Sequence, residues 1–191
     1  MSNKKEEIIS INVGNFIPHI GALTALQAVD DNTLFIGTTS HVSDGPVLLR
    51  MDLDTMQIQD TGLRFPPKGR KGTYAYSVGD KIHSAMILGN GKFAKTLLLG
   101  HGSHIWWDDG GWPFDARIFQ GGALYSYKPA SKKLECLGIP VQRNTIHGLF
   151  GGDGFAAGYS LPDNHFFSFD YETGEMCDFG KISAYCCHSL G

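Results

Sequence analysis

The sequence is poor in charge. Asp, Glu, Lys and Arg make up 18% of the chain, and the formal net charge of its 191 residues is −3. No basic stripe of the kind that grips a phosphate backbone or an anionic bilayer stands out, so neither nucleic acid nor membrane is expected as a partner. Long apolar runs are missing too: nothing approaches the ~18 residues of a membrane-spanning helix. The start, MSNKKEEIISINVG, has no apolar core of signal-peptide type, which leads to the expectation of a cytoplasmic chain. Cysteines number four (Cys136, Cys177, Cys186 and Cys187), without a C-x-x-C spacing, and the adjacent pair is poorly placed to clamp zinc tetrahedrally. Buried reduced thiols are the expectation. No window holds a 3.6-residue apolar stripe over three turns, so helices are at most minor. G-x-x-x-x-G-K-[ST], G-x-S-x-G and H-E-x-x-H are all absent, and no nucleotide cofactor is expected.

What is plentiful is glycine, 25 residues of it, among many short alternating runs in a chain that is 42% hydrophobic and 12% aromatic. Three segments of 16 residues align without a gap: VLLRMDLDTMQIQDTG (47–62), ALYSYKPASKKLECLG (123–138) and HFFSFDYETGEMCDFG (165–180). Each reads as a strand of alternating large residues, a polar turn, and a second short strand closed by glycine, which is a β-hairpin. Ahead of each hairpin lie two more strand-like runs, with Gly37, Gly100 or Gly158 near the end of the second. Four strands per unit, repeated, are the sequence pattern of a β-propeller, whose blades need neighbours to cover their faces. The expected fold is all-β, a partial propeller of about three four-stranded antiparallel blades (15–62, 73–138, 144–180) plus the start of another at 185–191. Residues 1–14 hold EEIISINVG, expected to be an outer strand that closes a ring. The rest of that ring is expected either on a longer polypeptide or in a second copy by self-association.

Histidines recur in register. His19, His83, His147 and His188 sit where first strands begin, His41 and His104 at second-strand ends with His101 just before, and His165 opens a third strand. Propeller geometry puts all these points at or near one face. Two roles compete for the first row. The imidazoles are hydrogen-bonded ties between blades, or they converge on the central channel as metal ligands or acid–base groups, for which a neutral nitrogen donor with a near-neutral pKa is suited.

The same face carries an insertion, GHGSHIWWDDGGWPFDARIFQGG (100–122), that holds all three tryptophans. Trp106, Trp107 and Trp112 beside Asp108, Asp109 and Arg117 are equipment for holding a saccharide or another small polar ring, or else a loop that packs over a neighbouring blade. Arg143, in QRNTIHG, and Tyr185, in AYCCHSL, stand just ahead of first strands. Together with His83 and His147 they form a candidate set for proton abstraction beside a carboxylate, the arginine or a metal neutralising the developing enolate.

In LYSYKPASKKLECLG, FFSFDYETGEMCDFG, HSAMILGNGK and IHGLFGGDG the chain resembles the blades of lyase-like seven-bladed propellers, of the virginiamycin B lyase and oligogalacturonate lyase type. That resemblance implies a divalent metal (Mn, Mg, Ca or Zn) held partly by histidine near the channel mouth, and a carbon–oxygen β-elimination. His19, His83, His147, His188, His101 and His104 are the ligand candidates it implies. A non-catalytic propeller segment that binds or assembles is the alternative from another class.

Overall fold

The computed structural model describes residues 10–13, 20–40, 47–64, 81–103 and 119–182. Among them the fold is all-β. Strands β1 (Ile20–Ala28), β2 (Thr33–Ser40), β3 (Val47–Asp52) and β4 (Gln57–Arg64) pair antiparallel in sequence order as a first blade. A second follows in β5 (Lys81–Leu88), β6 (Leu97–Gly102), β7 (Leu124–Lys128) and β8 (Lys133–Gly138). The third is β9 (Thr145–Gly152), β10 (Phe155–Leu161), β11 (His165–Asp170) and β12 (Met176–Lys181). A parallel bridge between Ser84 and Gly148 sets β5 beside β9, and the Thr24 hydroxyl of β1 donates to the Ile82 carbonyl of β5. First strands of successive blades thus lie next to one another, as they do around a propeller axis. This is a partial propeller. Among the described residues no helix is long and apolar enough to cross a membrane.

The 16-residue repeat is reproduced at the level of register. Leu49 faces Asp60, Tyr125 faces Cys136 and Phe167 faces Asp178, and the next pairing in each hairpin is broken by a bulge. The residue after that bulge is Gly62, Gly138 or Gly180, with φ of 78°, 147° and 84°. The closing glycine of every repeat is therefore there because an L side chain would be strained at that φ. Met56, Lys132 and Gly174 occupy one equivalent turn position, and all three have positive φ.

The two faces of each hairpin have different tasks. Position two (Leu48, Leu124) points towards the following blade, while positions three and five (Leu49 and Met51, Tyr125 and Tyr127, Phe167 and Phe169) point towards the preceding one. Leu48 joins Phe35, Leu97, Leu99, Tyr125 and Tyr127 in the seam of blades one and two. Leu124 joins Leu98, Ile146, Phe167 and Phe169 in the seam of blades two and three. Burying each such side chain is worth roughly 1.5–3 kcal/mol, so the seams, more than any single blade, hold the assembly together. Blade one's rear face, with Val47, Leu49 and Met51, is capped by Ile11 and Val13. Residues 10–13 carry no strand; the remainder of the expected closing strand lies outside the described residues.

One alignment shifts by a residue. Gly37 pairs with Leu48 and Gly100 with Leu124, but it is Tyr159, not Gly158, that pairs with the equivalent Phe166. Gly37 and Gly100 make room for the next blade's first-strand isoleucine: a Cβ there would lie 2.8 Å from Ile82 Cγ2 or 2.5 Å from Ile146 Cγ2. In blade three a phenol ring fills that seat.

Candidate functional site

His147 is the third residue of β9, and β9 bulges at it: Tyr159 pairs with Gly148 and Ser160 with Ile146, leaving His147 as the extra residue. A bulge re-aims a side chain. Here it brings His147 Nδ1 to 2.8 Å from the Tyr159 hydroxyl, with both residues buried. Gly148 makes the approach possible, since a Cβ on it would lie 2.3 Å from the Tyr159 ring. The tautomer decides the chemistry. If Tyr159 donates, the ring carries its proton on Nε2; if Nδ1 donates, Nε2 presents a lone pair, the form a base or a metal ligand needs.

His83 belongs to β5, one residue before the Ser84–Gly148 bridge, so its backbone is at the same level as that of His147 on the adjacent strand. Its side chain lies outside what the structure describes. His101, near the end of β6, is 1% exposed and sits edge-on to Tyr125, with ring centroids 6.1 Å apart. Its strand partner is Ile82, which places it on the side of blade two that faces blade one. Two residues on, Ser103 and Thr145 tie blades two and three: the Thr145 hydroxyl donates to the Ser103 carbonyl at 2.8 Å and accepts from its N–H at 3.0 Å.

Arg143 is exposed, at the tip of the turn before β9, with φ of 57°. Its backbone N–H donates to the Gln120 carbonyl, so the backbone of this turn is held by the segment that leads into β7. The buried Asn144 beside it spans to Asp163, donating to the carboxylate and accepting the Asp163 N–H, each at 3.0 Å. His165 opens β11 with Nδ1 2.9 Å from both carboxylate oxygens of Asp178. His19, His41, His104, His188, Tyr185, Trp106, Trp107, Trp112, Asp108, Asp109 and Arg117 lie outside the described residues. Among the described ones no three His, Cys, Asp or Glu gather as metal ligands.

Two features escaped the sequence reading. Tyr159 is the partner of His147, and its only signal was a phenol at the end of a second strand. The other is an apolar surface on blade three. Phe150 stacks on Phe166 and Phe179 tilts against it, with centroids 5.9 and 5.7 Å apart, and Phe150 and Phe179 are 39% and 60% exposed. By strand register these three occupy the positions of Ile87, Leu124 and Leu137 in blade two, all of which lie in the seam with blade three.

TolB from Acinetobacter baumannii has a similar structure, with a TM-score of 0.51 and 14% identity over 86% of this chain and 33% of TolB. An oligogalacturonate lyase in complex with manganese aligns with a TM-score of 0.46 and 14% identity, over 84% of this chain and 41% of the lyase. A puromycin-hydrolyzing peptidase of Mycobacterium tuberculosis gives 0.48 and 16%, over 85% and 21%. The chain spans well under half the length of each. No protein family and no curated protein matches it. The likeness to TolB speaks for the propeller fold alone.

Proposed function

We propose that this chain is an assembly module: a propeller sector that works by docking the front of its third blade against the rear of a further β-blade. One observation carries this reading. Phe150 and Phe179 stand exposed, with Phe166 half-buried between them, where their equivalents in blade two lie in the seam with the next blade. The partner surface it fits is the apolar rear of a blade, of the kind formed here by Tyr125 and Tyr127 or by Phe167 and Phe169. Blade one's own rear is already covered by Ile11 and Val13, which favours a blade from elsewhere over the rear of a second copy. A contiguous aromatic patch of this kind marks an interaction site in a soluble protein. The test is light scattering and binding of a hydrophobic dye by the purified chain. Dye binding that is lost in the Phe166→Asp, Phe179→Asp double variant, with the β-sheet circular dichroism retained, supports the proposal. A chain that binds no dye, or one whose dye binding the double variant leaves unchanged, overturns it. Association that grows with concentration and is abolished by the same substitutions would identify the occupant as a second copy and overturn the separate blade.

A second reading rests on a different observation, the level register of His83 and His147 on adjacent first strands. In it the histidine face takes a small polar or saccharide ligand, and His147, held by Tyr159, abstracts a proton in a β-elimination assisted by a divalent metal. Of this pair His83 would hold the metal, leaving His147 Nε2 free as the base, and Arg143 would neutralise the carboxylate. Appearance of an unsaturated uronate absorbance on incubation with manganese and oligogalacturonate, abolished in His147→Gln, is the result this reading requires. Cys177 is exposed and Cys136 half-buried, which corrects the expectation of buried thiols for these two.

A further inference from the structure

A second concavity lies away from the histidine face, between the outer strands of blade one and the β7–β8 turn of blade two. It is a cleft of about 320 Å³ whose lining includes Phe35, Arg50, Gln59, Asp60, Tyr127 and Lys132. The volume falls near the lower limit of small-molecule sites, which begin at roughly 300 Å³. Repetition of the blade does not explain its polarity. Arg50 holds position four of its hairpin, where the other two blades have Ser126 and Ser168.

The cation has no close ion-pair partner; its charge reaches the Asp52 carboxyl only as the last contribution to a lowering that the Thr55 N–H leads. Arg50 is half-buried and pairs across the sheet with Phe35 and Gln59; its guanidinium makes a single long contact, 3.4 Å to the Thr33 hydroxyl. Among the described residues no carboxylate lies within ion-pair distance of it. Asp60, which lines the cleft, already accepts the Gly62 N–H at 2.8 Å. Tyr127 is 4% exposed, its ring edge-on to Phe35 at 6.0 Å, and among the described residues its hydroxyl has no hydrogen-bond partner. A phenol with no protein partner that opens on the cleft is available to donate to a ligand there. Burial raises the Tyr127 pKa and the neighbouring Arg50 opposes the rise, so the phenol remains protonated and donates.

We infer that this cleft binds a small hydroxylated carboxylate, with Arg50 and Lys132 holding the carboxylate and the Tyr127 hydroxyl and Gln59 amide hydrogen-bonding its oxygens. Phe35 supplies the apolar floor. An arginine fork suits a carboxylate's two oxygens, and Lys132, on the turn, adds a second positive charge at the mouth. The site is independent of the aromatic face of blade three and of His147.

Citrate is the probe, with glucose as the neutral control, and binding is followed by calorimetry and by chemical-shift perturbation. Saturable citrate binding in the millimolar range or tighter is expected, and glucose should give none. Arg50→Gln should weaken binding about 10-fold and Tyr127→Phe about 3- to 10-fold, as losing a charge-assisted and a neutral hydrogen bond would. Thermal melts check that each variant folds; if Arg50→Gln does not, Tyr127→Phe and Lys132→Gln decide alone. Titration without saturation, or citrate affinity unchanged in the folded variants, overturns the inference. Equal binding of glucose would overturn the carboxylate assignment.

Discussion

A single missing Cβ sets the distance between blades. Gly100 lets the Ile146 side chain and the Ala85 methyl close on the β6 backbone, and a methyl at Gly100 would meet them at 2.5 and 2.6 Å. Gly100→Ala should therefore cost about 1–3 kcal/mol by overpacking. In denaturant unfolding, the Gly100→Ala, Ile146→Ala double variant should lose less than the sum of the two single ones, because removing Ile146 Cγ2 relieves the clash. Additive losses would show that the two residues do not share that seat. Tyr159→Phe is the complementary probe on the third blade. Removing the hydroxyl that His147 Nδ1 contacts should destabilise by about 1 kcal/mol, and should shift the His147 titration measured by NMR. A ring whose titration did not move would deny that the 2.8 Å contact governs its tautomer.

Among elements, two of the three hairpins share an acid-sensitive turn. The Asp52 carboxylate accepts the Thr55 N–H and hydroxyl, both at 2.8 Å, and Asp170 accepts those of Thr173 at 2.7 and 3.0 Å. The Thr55 and Thr173 backbone N–H groups lead in holding these carboxyls below the ordinary Asp value, and the threonine hydroxyls follow. Both groups titrate lower in the folded state than in the unfolded one. Between the two values the unfolded chain binds more protons, so stability rises with pH there. The contribution is complete above the unfolded value of about 3.9, and disappears as pH falls through the lowered folded value. Thermal melts in acid should show a falling Tm, and the Asp52→Asn, Asp170→Asn double variant should flatten that fall. An unchanged slope would assign the acid sensitivity to other carboxylates. The second blade has Lys128 at this position, and its turn should be indifferent to acid.

For the whole molecule, what matters is which blade faces are covered. Blade one's rear is capped by Ile11 and Val13 over Val47, Leu49 and Met51, whereas blade three's front is left with its phenylalanine row. Charge at the cap should uncover the first face: Ile11→Asp with Val13→Asp should lower stability by roughly 1–3 kcal/mol from lost apolar burial. The same variant should bind more hydrophobic dye than the parent. If Tm and dye binding were both unchanged, the N-terminal segment would not be the cover of that face.

The hairpins, their turns and their bulge glycines were legible in the amino-acid order, because alternation of large residues, polar turn residues and a closing glycine act over a few residues. The four-strand unit was legible for the same reason, as was a histidine near the start of β5 and of β9. Register across strands was not. That Tyr159 and not Gly158 takes the seat of Gly37 and Gly100 depends on where β9 bulges, and pairing between strands settles that. Nor could the chain order say that His101 would be buried against Tyr125, or that Arg50 and Tyr127 would share a cleft. Those residues lie far apart along the chain, and only the stacking of one blade on the next brings them together. The sequence by itself determined the blades; tertiary packing decided which of their faces and polar groups are enclosed, since burial is a property of neighbours that no local stretch contains.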